Sequence, residues 1–371
     1  MNPSSNYFPR YKETQKNFSS LDNIAQHAPH LLKEGPSDKT DPNLLAITSG
    51  SNFSSTLDTL NSKKLFAPTL QLTGHAGEIY CVKFSPDGKV LATAGFDKMI
   101  FLWDVYNDCY NGALLKGHTN AIVEVQWSTD GTRLYTASAD KTLAIWDAES
   151  CKRIKKFSGH TSFVNSCFPA RRGPDLIVSG GDDGMTKIWD LRQKGCVNEF
   201  SNKYQVTAVS FNDTAEKVFS SGLDNQIKIW DLRKKECDSI LYGHTETITG
   251  IALSHDGSYL LSNGMDHTIR CWDIRPFVVG NRCVKIFQGA THNFEKNLLR
   301  VAWSRDGMQI TSGSADKFVY IWDTTSRKVL HRLGGHNGSV NECSFSPVDR
   351  LIASACSDKT VIVGEIPEST L

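Results

Sequence analysis

A motif that begins with Gly-His and ends with Trp-Asp is repeated along most of this sequence. Its clearest copy spans residues 117–147, where Asp140 follows His118 by twenty-two residues and precedes Trp146 by six. Related copies fill the chain from about residue 64 to its end. The tryptophan of the closing pair recurs at Trp103, Trp146, Trp189, Trp230, Trp272 and Trp322. This repeat restricts the possible folds more than any other feature of the chain.

The repeat has a period of just over forty residues, and each copy contains short apolar runs separated by turn residues. A period of this length with four short strands per copy is typical of a β-propeller blade. We therefore predict an all-β fold in which residues 64–371 form a seven-bladed propeller. The last copy ends after its third strand, near 361–366, so we expect an N-terminal strand at 65–72 to complete that blade and close the ring.

Composition narrows the function classes further. Positive and negative side chains nearly balance at a net charge of +1, which gives no global preference for a polyanion or a membrane. No apolar run approaches the length of a spanning helix, and we expect a soluble protein with no membrane partner. Among the ten cysteines, Cys167 and Cys343 occupy repeat positions where other copies have apolar residues. We therefore expect buried free thiols, without disulfides and without a metal site.

The first 63 residues differ from the rest of the chain. They are rich in Ser, Asn and Pro, carry mixed charge and lack periodicity. Such a composition buries too little apolar surface to offset the entropy of ordering, so we predict a disordered tail at 1–63. The isolated aromatics Phe8, Tyr11 and Phe18 would anchor the tail if it folds on a partner.

The repeated residues resemble those of the WD40 repeat family, over about five-sixths of the chain. In that family the blade His, a Ser or Thr, the turn Asp and the Trp form a hydrogen-bonded tetrad. The resemblance implies such tetrads at His75, Thr93, Asp97, Trp103; His118, Thr136, Asp140, Trp146; His160, Ser179, Asp183, Trp189; His244, Ser262, Asp266, Trp272; and His292, Ser312, Asp316, Trp322.

Two copies depart from the family pattern. The fourth has Asn202 at the His position, and the seventh has Gly364-Glu365 in place of Trp-Asp. We expect these two blades to be held mainly by packing. Since Ser or Thr, His and Asp recur around the ring at a structural spacing, they do not indicate a hydrolase triad. We expect no catalytic residue, no cofactor and no small-molecule substrate, and hence a protein that is not an enzyme.

Function is then expected on the surface, at residues that depart from the repeat. We predict partner contacts on the face of the Gly-His loops and, on the opposite face, at the longer loops around 170–174 and 275–282. The candidate residues are Phe96, Phe163, Asp182, Tyr204 and Phe294 on the first face, and Arg171, Arg172, Arg275 and Phe277 on the second. The second face also carries many Lys and Arg residues, which could bind an acidic protein segment or an RNA backbone.

Segments outside the consensus give a narrower resemblance. Residues 161–174, 287–300 and 314–327 resemble the WD-repeat proteins of the U5 small nuclear ribonucleoprotein. The resemblance implies a nuclear scaffold for pre-mRNA splicing that bridges the large U5 proteins, including the helicase and the central scaffold, with RNA contact at most secondary.

Two alternatives remain open at the level of the sequence. Arg192, Arg233 and Arg275 each follow a Trp-Asp pair by two residues. This spacing resembles the box by which some propellers act as substrate receptors of cullin-based ubiquitin ligases. The chain could also be another WD40 scaffold with different partners.

Overall fold

The computed structural model describes residues 68–106 and 109–367. Its strands form seven four-stranded antiparallel sheets, one for each repeat. Among the described residues, no helix is long and apolar enough to cross a membrane. The seven-bladed all-β fold predicted from the repeat is therefore confirmed, while the tail predicted at 1–63 lies outside the described residues.

The blades follow one another in chain order, and the seventh includes the first strand. The strands are β1 (Thr69–Thr73), β2 (Ile79–Phe84), β3 (Val90–Gly95), β4 (Met99–Asp104), β5 (Asn111–Lys116), β6 (Ile122–Trp127), β7 (Arg133–Ser138), β8 (Thr142–Asp147), β9 (Arg153–Ser158), β10 (Val164–Pro169), β11 (Leu176–Gly181), β12 (Met185–Asp190), β13 (Cys196–Ser201), β14 (Val206–Phe211), β15 (Lys217–Gly222), β16 (Ile227–Asp231), β17 (Glu236–Leu241), β18 (Ile248–Leu253), β19 (Tyr259–Gly264), β20 (Thr268–Asp273), β21 (Cys283–Gln288), β22 (Val301–Trp303), β23 (Gln309–Gly313), β24 (Val319–Asp323), β25 (Val329–Leu333), β26 (Val340–Phe345), β27 (Leu351–Cys356) and β28 (Thr360–Glu365).

The ring closes through its first strand. β1 pairs antiparallel with β28, with Leu70 opposite Val363 and Leu72 opposite Val361. The strand begins at Thr69, whereas we predicted 65–72, and residues 65–67 lie outside the described residues. The inner strands β2, β6, β10, β14, β18, β22 and β26 contact one another in cyclic order, with β26 against β2. Each of these inner strands is an edge strand of its own sheet, and the ring leaves these edges short and flanked by the neighbouring blades.

The turn between the first two strands of a blade shows how local sequence sets this geometry. In blade one the Ser85 hydroxyl donates to Asp87 at 2.6 Å, and Asp87 accepts the Lys89 backbone N–H at 3.1 Å. Gly88 follows at a φ of 72°, a conformation that favours glycine. Turns of this type and the loops after Trp-Asp form what we call the Asp-Gly face. The loops that carry the tetrad His and Asp form the opposite, histidine face.

Apolar side chains fill the space between neighbouring blades. In one such cluster Trp146 of blade two packs with Ile122 and Val125, and Ile100 comes from blade one. Cys167 and Cys343 are fully buried, and burial raises the pKa of both thiols. All ten cysteines lie among the described residues, and no disulfide joins any of them. The prediction that Cys167 and Cys343 fill buried positions of the repeat is confirmed.

Candidate functional site

The hydrogen-bonded set of blade one links the histidine face to the blade interior. The Nδ1 atom of His75 lies 2.6 Å from an oxygen of Asp97, and its Nε2 lies 2.8 Å from the Thr93 hydroxyl. The indole N–H of Trp103 donates to the same hydroxyl at 2.9 Å. Each polar atom of these buried side chains therefore has a partner, as burial requires.

Blades two, three and five repeat this arrangement. Their indole N–H groups donate to the hydroxyls of Thr136, Ser179 and Ser262 at 3.0, 2.9 and 2.8 Å. The pKa of Asp140 is held well below its usual range: burial alone would raise it, but hydrogen bonds from His118 and Thr142 outweigh burial. The carboxylate is thus a fixed acceptor at neutral pH.

The fourth blade forms a substitute network where we had expected packing alone. The amide N–H of Asn202 donates to Thr186 at 3.0 Å, and its carbonyl accepts from Lys228 at 3.3 Å. The Lys228 ammonium also lies 2.7 Å from the Asp224 carboxylate. The expectation was wrong for this blade, because a lysine on the third strand supplies the donor that the missing histidine would have provided.

In the seventh blade the network is partly kept. The Nε2 atom of His336 lies 2.8 Å from Ser354, and its Nδ1 lies 3.4 Å from Asp358. Cys356 brings a sulfur into this group, so that three possible metal-ligand atoms lie within 4.8 Å of one another. Asp358 accepts the backbone N–H of Asn337 at 2.8 Å and of Thr360 at 2.9 Å. These hydrogen bonds give the group a structural role within the blade.

The sixth blade differs from the set that the resemblance implied. His292 does not reach Ser312: its buried Nε2 has no hydrogen-bond partner. Ser312 donates to backbone carbonyls, and the indole N–H of Trp322 donates to the Gln288 carbonyl at 2.9 Å. Ala290, two residues after the end of β21, occupies the place that His118 occupies after β5. The loop before β22 is longer than its counterparts, and this carries His292 away from the blade interior.

An ion network that our sequence analysis did not identify lies at the centre of the ring. Arg300, just before β22, is only 5% exposed, and its guanidinium lies 3.4 Å from the Glu124 carboxylate of blade two. The same guanidinium donates to the carbonyls of Asn165 at 2.7 Å and of Thr207 and Thr249 at 3.2 Å. One side chain of blade six therefore crosses the ring axis and contacts blades two, three, four and five.

A second ion pair lies beside it. Lys83 of blade one lies 2.6 Å from Glu342 of blade seven, whose other oxygen accepts the Val82 backbone N–H at 2.9 Å. Burial raises the pKa of Glu342, and Lys83 opposes that shift. Above these charges, a cavity of about 480 Å³ opens on the Asp-Gly face and is lined by residues from all seven blades.

The predicted contact residues of the histidine face are only partly exposed. Phe96 and Tyr204 are 44% and 48% exposed, while Phe163 is half-buried. Asp182 is also half-buried and accepts a hydrogen bond from the Asn165 amide at 2.6 Å. Burial raises the pKa of Asp182. Phe294 differs from the others, since 90% of its surface is exposed in the long loop before β22.

The predicted residues of the Asp-Gly face differ in how strongly their side chains are held by contacts within the ring. Arg171 donates to the carbonyls of Ser254 at 2.6 Å and Leu253 at 2.9 Å, so it braces blade three against blade five. These two carbonyls hold the Arg171 guanidinium in a fixed position on this face. Arg172 lies 3.2 Å from the carboxylate of Asp213 but remains largely exposed.

Two further candidates of this face lie in and beside the loop between β20 and β21. Arg275 pairs with Asp273 at 2.5 Å and lies over the ring of Tyr259. Phe277 is 96% exposed and Val279 is 97% exposed, although both are apolar. The structure thus leaves Phe277 and Phe294, at opposite ends of β21, as the most accessible aromatic side chains among the predicted residues.

A signal for the central network was present in the sequence. Arg300, Glu124 and Glu342 hold equivalent places at the inner strands, where the remaining repeats have small residues such as Ser166 and Ala208. A charged residue there breaks the apolar pattern and indicates a buried ion. The pairing itself joins blades that are distant in sequence, and the repeat alone does not define it.

Comparison with known proteins agrees with this geometry. The family model described as "WD domain, G-beta repeat" matches residues 66–104, 110–147, 151–190, 194–231, 235–273, 281–323 and 327–363. The U5 small nuclear ribonucleoprotein 40 kDa protein of Mus musculus is 63% identical over 302 residues, which cover 81% of this chain and 84% of that protein.

More distant relatives carry similar names. The U5 small nuclear ribonucleoprotein 40 kDa protein of Dictyostelium discoideum is 47% identical, with 89% of this chain and 94% of that protein covered. The pre-mRNA-splicing factor cwf17 of Schizosaccharomyces pombe is 42% identical, with 86% of this chain and 92% of that protein covered. The chain therefore belongs to the WD40 repeat family, within the group that includes the U5 small nuclear ribonucleoprotein 40 kDa proteins.

Proposed function

We propose that this chain is a non-catalytic scaffold of the U5 small nuclear ribonucleoprotein that acts in pre-mRNA splicing in the nucleus. The observation that carries the proposal is the 63% identity over 81% of the chain to a protein that bears the particle's name. A rigid ring with two differently shaped faces suits a protein that holds several partners at once.

The proposed partners are large proteins of the particle, including its helicase and its central scaffold. Two accessible aromatic residues, Phe277 and Phe294, lie at opposite ends of blade five, one toward each face. Exposed aromatic side chains of this kind are frequent anchors of protein interfaces. Contact with RNA is secondary in this proposal, because Phe277 and Phe294 lie toward opposite faces and do not form one stacking surface.

Affinity capture with face-specific variants tests the bridging role. We expect the tagged chain to capture at least two large splicing proteins from nuclear extract after RNase treatment. Phe277→Ser and Phe294→Ser should each remove a different protein from the eluate, with Val348→Ser, an exposed apolar residue of blade seven, as the matched control. Loss of all proteins on RNase treatment would contradict a protein scaffold.

The ubiquitin-ligase alternative is tested by the same assay. Arg233 pairs with Glu216 at 2.6 Å, and Arg192 is exposed on the same face. Charge reversal at Arg192 and Arg233 should leave captured splicing proteins unchanged if the chain is a U5 scaffold. Capture of cullin adaptors that is lost on this reversal would favour the ligase receptor.

A further inference from the structure

The cavity on the Asp-Gly face reaches inward to the charged centre of the ring. Its floor is formed by Arg300, which crosses the axis, together with Glu124, Lys83 and Glu342. These four charges form two ion pairs, at 3.4 Å and 2.6 Å, and so compensate one another. The cavity is a pit that opens on the Asp-Gly face, and its lining includes none of the described tetrad His and Asp residues of the histidine face.

The rim of this pit carries two arginines that form no ion pair among the described residues, while Asp213 and Asp256 attract Arg171 from a greater distance. Arg171 and Arg305 both belong to the lining, and their hydrogen bonds go to backbone carbonyls: Arg171 to Leu253 and Ser254, and Arg305 to Pro347 at 2.7 Å. Among the ion pairs of the described residues, neither arginine has a carboxylate within 4.0 Å. Carbonyl groups orient a guanidinium without cancelling its charge.

The lining as a whole contains five cationic side chains and three carboxylates, a surplus of two positive charges. Outside the two central ion pairs, the acidic residue of the lining is Asp213, which is paired with Arg172 at 3.2 Å. Asp256 lies next to His255 and outside the lining. His255 lies between the arginines, and partial burial followed by the charges of Arg171 and Arg305 lowers its pKa. His255 is therefore neutral at pH 7 and adds no positive charge, so the surplus that favours an anion comes from the arginines.

The walls make a protein ligand a better fit than a nucleic acid. Trp127 and Trp303 line the pit, but their indole N–H groups donate to the carbonyls of Lys83 and Ala252 at 3.1 Å, which fixes the rings in the wall. Trp303 is only 8% exposed and offers no open face for stacking a base. Apolar walls also lower the local dielectric constant, which strengthens attraction between the rim and a carboxylate.

We propose that this pit, which we call the rim pocket, binds an acidic segment of a protein partner, with an Asp or Glu carboxylate placed between Arg171 and Arg305. The inference concerns the chemistry of the pocket alone and is independent of the particle that the chain joins. Other basic residues of the Asp-Gly face, such as Arg192, lie outside the lining of the pocket and are not part of the proposed site.

Fluorescence anisotropy on the full chain tests this proposal with a labelled oligoglutamate peptide at low salt. We expect Arg305→Gln to weaken binding about fivefold, the effect of one partly screened charge. Asp213→Asn should strengthen binding about threefold, because it removes the rim's acidic charge and frees Arg172. Arg192→Gln, the matched control on the same face, should leave the affinity unchanged. Arg171 is left intact because its carbonyl contacts brace two blades.

Three results would overturn the proposal. The first is absence of peptide binding by the wild-type chain, and the second is an equal loss for Arg305→Gln and Arg192→Gln, which would indicate a diffuse basic face. The third is tighter binding of a labelled oligouridylate of equal charge with the same dependence on Arg305, which would assign the pocket to RNA. Unchanged thermal unfolding of each variant confirms that the ring is intact.

Discussion

The guanidinium of Arg300 in blade six lies 3.4 Å from the carboxylate of Glu124 in blade two, across the axis of the ring. The two blades are not neighbours, so this contact connects parts of the propeller that share no strand pairing. Both side chains are almost fully buried. The centre of the ring is thus held by an ion network in addition to the apolar packing between adjacent blades.

Replacing Arg300 alone should strongly destabilise the ring. In Arg300→Met the Glu124 carboxylate loses its cation while staying buried, and the carbonyls of Asn165, Thr207 and Thr249 lose their donor. We expect a loss of about 3 kcal/mol or more, measured by urea unfolding. The double variant Arg300→Met with Glu124→Gln should recover part of this loss. Equal stability of wild type and Arg300→Met would contradict the role of the network.

The tetrad is complete in the fifth blade and incomplete in the sixth, so replacing the tetrad serine by alanine should reduce the free energy of unfolding more in the fifth. Ser262→Ala removes the hydroxyl that contacts both His244 at 2.7 Å and Trp272 at 2.8 Å, leaving two buried nitrogens unpaired. We expect a loss of about 2 kcal/mol. Ser312→Ala should cost clearly less, because Ser312 contacts neither His292 nor Trp322. Similar losses in thermal unfolding would show that blade six has a complete tetrad.

His292 should make the stability of the ring depend on pH between about pH 6.5 and pH 4. Burial and then the neighbouring His267 lower the pKa of His292 to about 4. The imidazole therefore binds a proton at higher pH in the unfolded chain than in the folded chain. As a result, the free energy of unfolding falls as the pH decreases through that window. His292→Phe should flatten the slope there and leave near-neutral stability equal or higher, since Nε2 has no partner.

The loss of stability below about pH 4 serves as an internal control for the same measurement. The pKa of Asp140 is lowered in the folded chain: burial raises it, but hydrogen bonds from His118 and Thr142 prevail. Its contribution to stability is therefore present above about pH 4 and is lost as the pH falls further. Wild type and His292→Phe should lose stability alike below pH 4. Parallel curves over the whole range would contradict the assignment to His292.

Substitution of the exposed aromatics should separate stability from binding. Phe277 and Phe294 are 96% and 90% exposed, so Phe277→Ser and Phe294→Ser should change the free energy of unfolding by no more than about 0.5 kcal/mol. Loss of partner capture without loss of stability would support interface positions. A large fall in the unfolding midpoint would show instead that these loops pack against the ring.

The repeat predicted the fold because each copy carries its own turn and strand pattern, as Ser85 and Asp87 illustrate. The sixth blade was not predicted because the loop before β22 changes the register: Ser312 follows His292 by twenty residues, against eighteen from His118 to Thr136. Lys228 takes the place of the missing histidine through contacts with Asn202 and Asp224, and the repeat pattern does not specify these side-chain contacts. The contacts of Arg300 depend on ring closure, which sequence spacing alone does not specify.

The central proposal is tested most directly by capturing the tagged chain from nuclear extract and quantifying each small nuclear RNA in the eluate. We expect U5 RNA to be enriched over U1 and U2 RNA, together with large splicing proteins. An eluate without U5 enrichment, or one that contains cullin adaptors in its place, would contradict membership of the U5 particle.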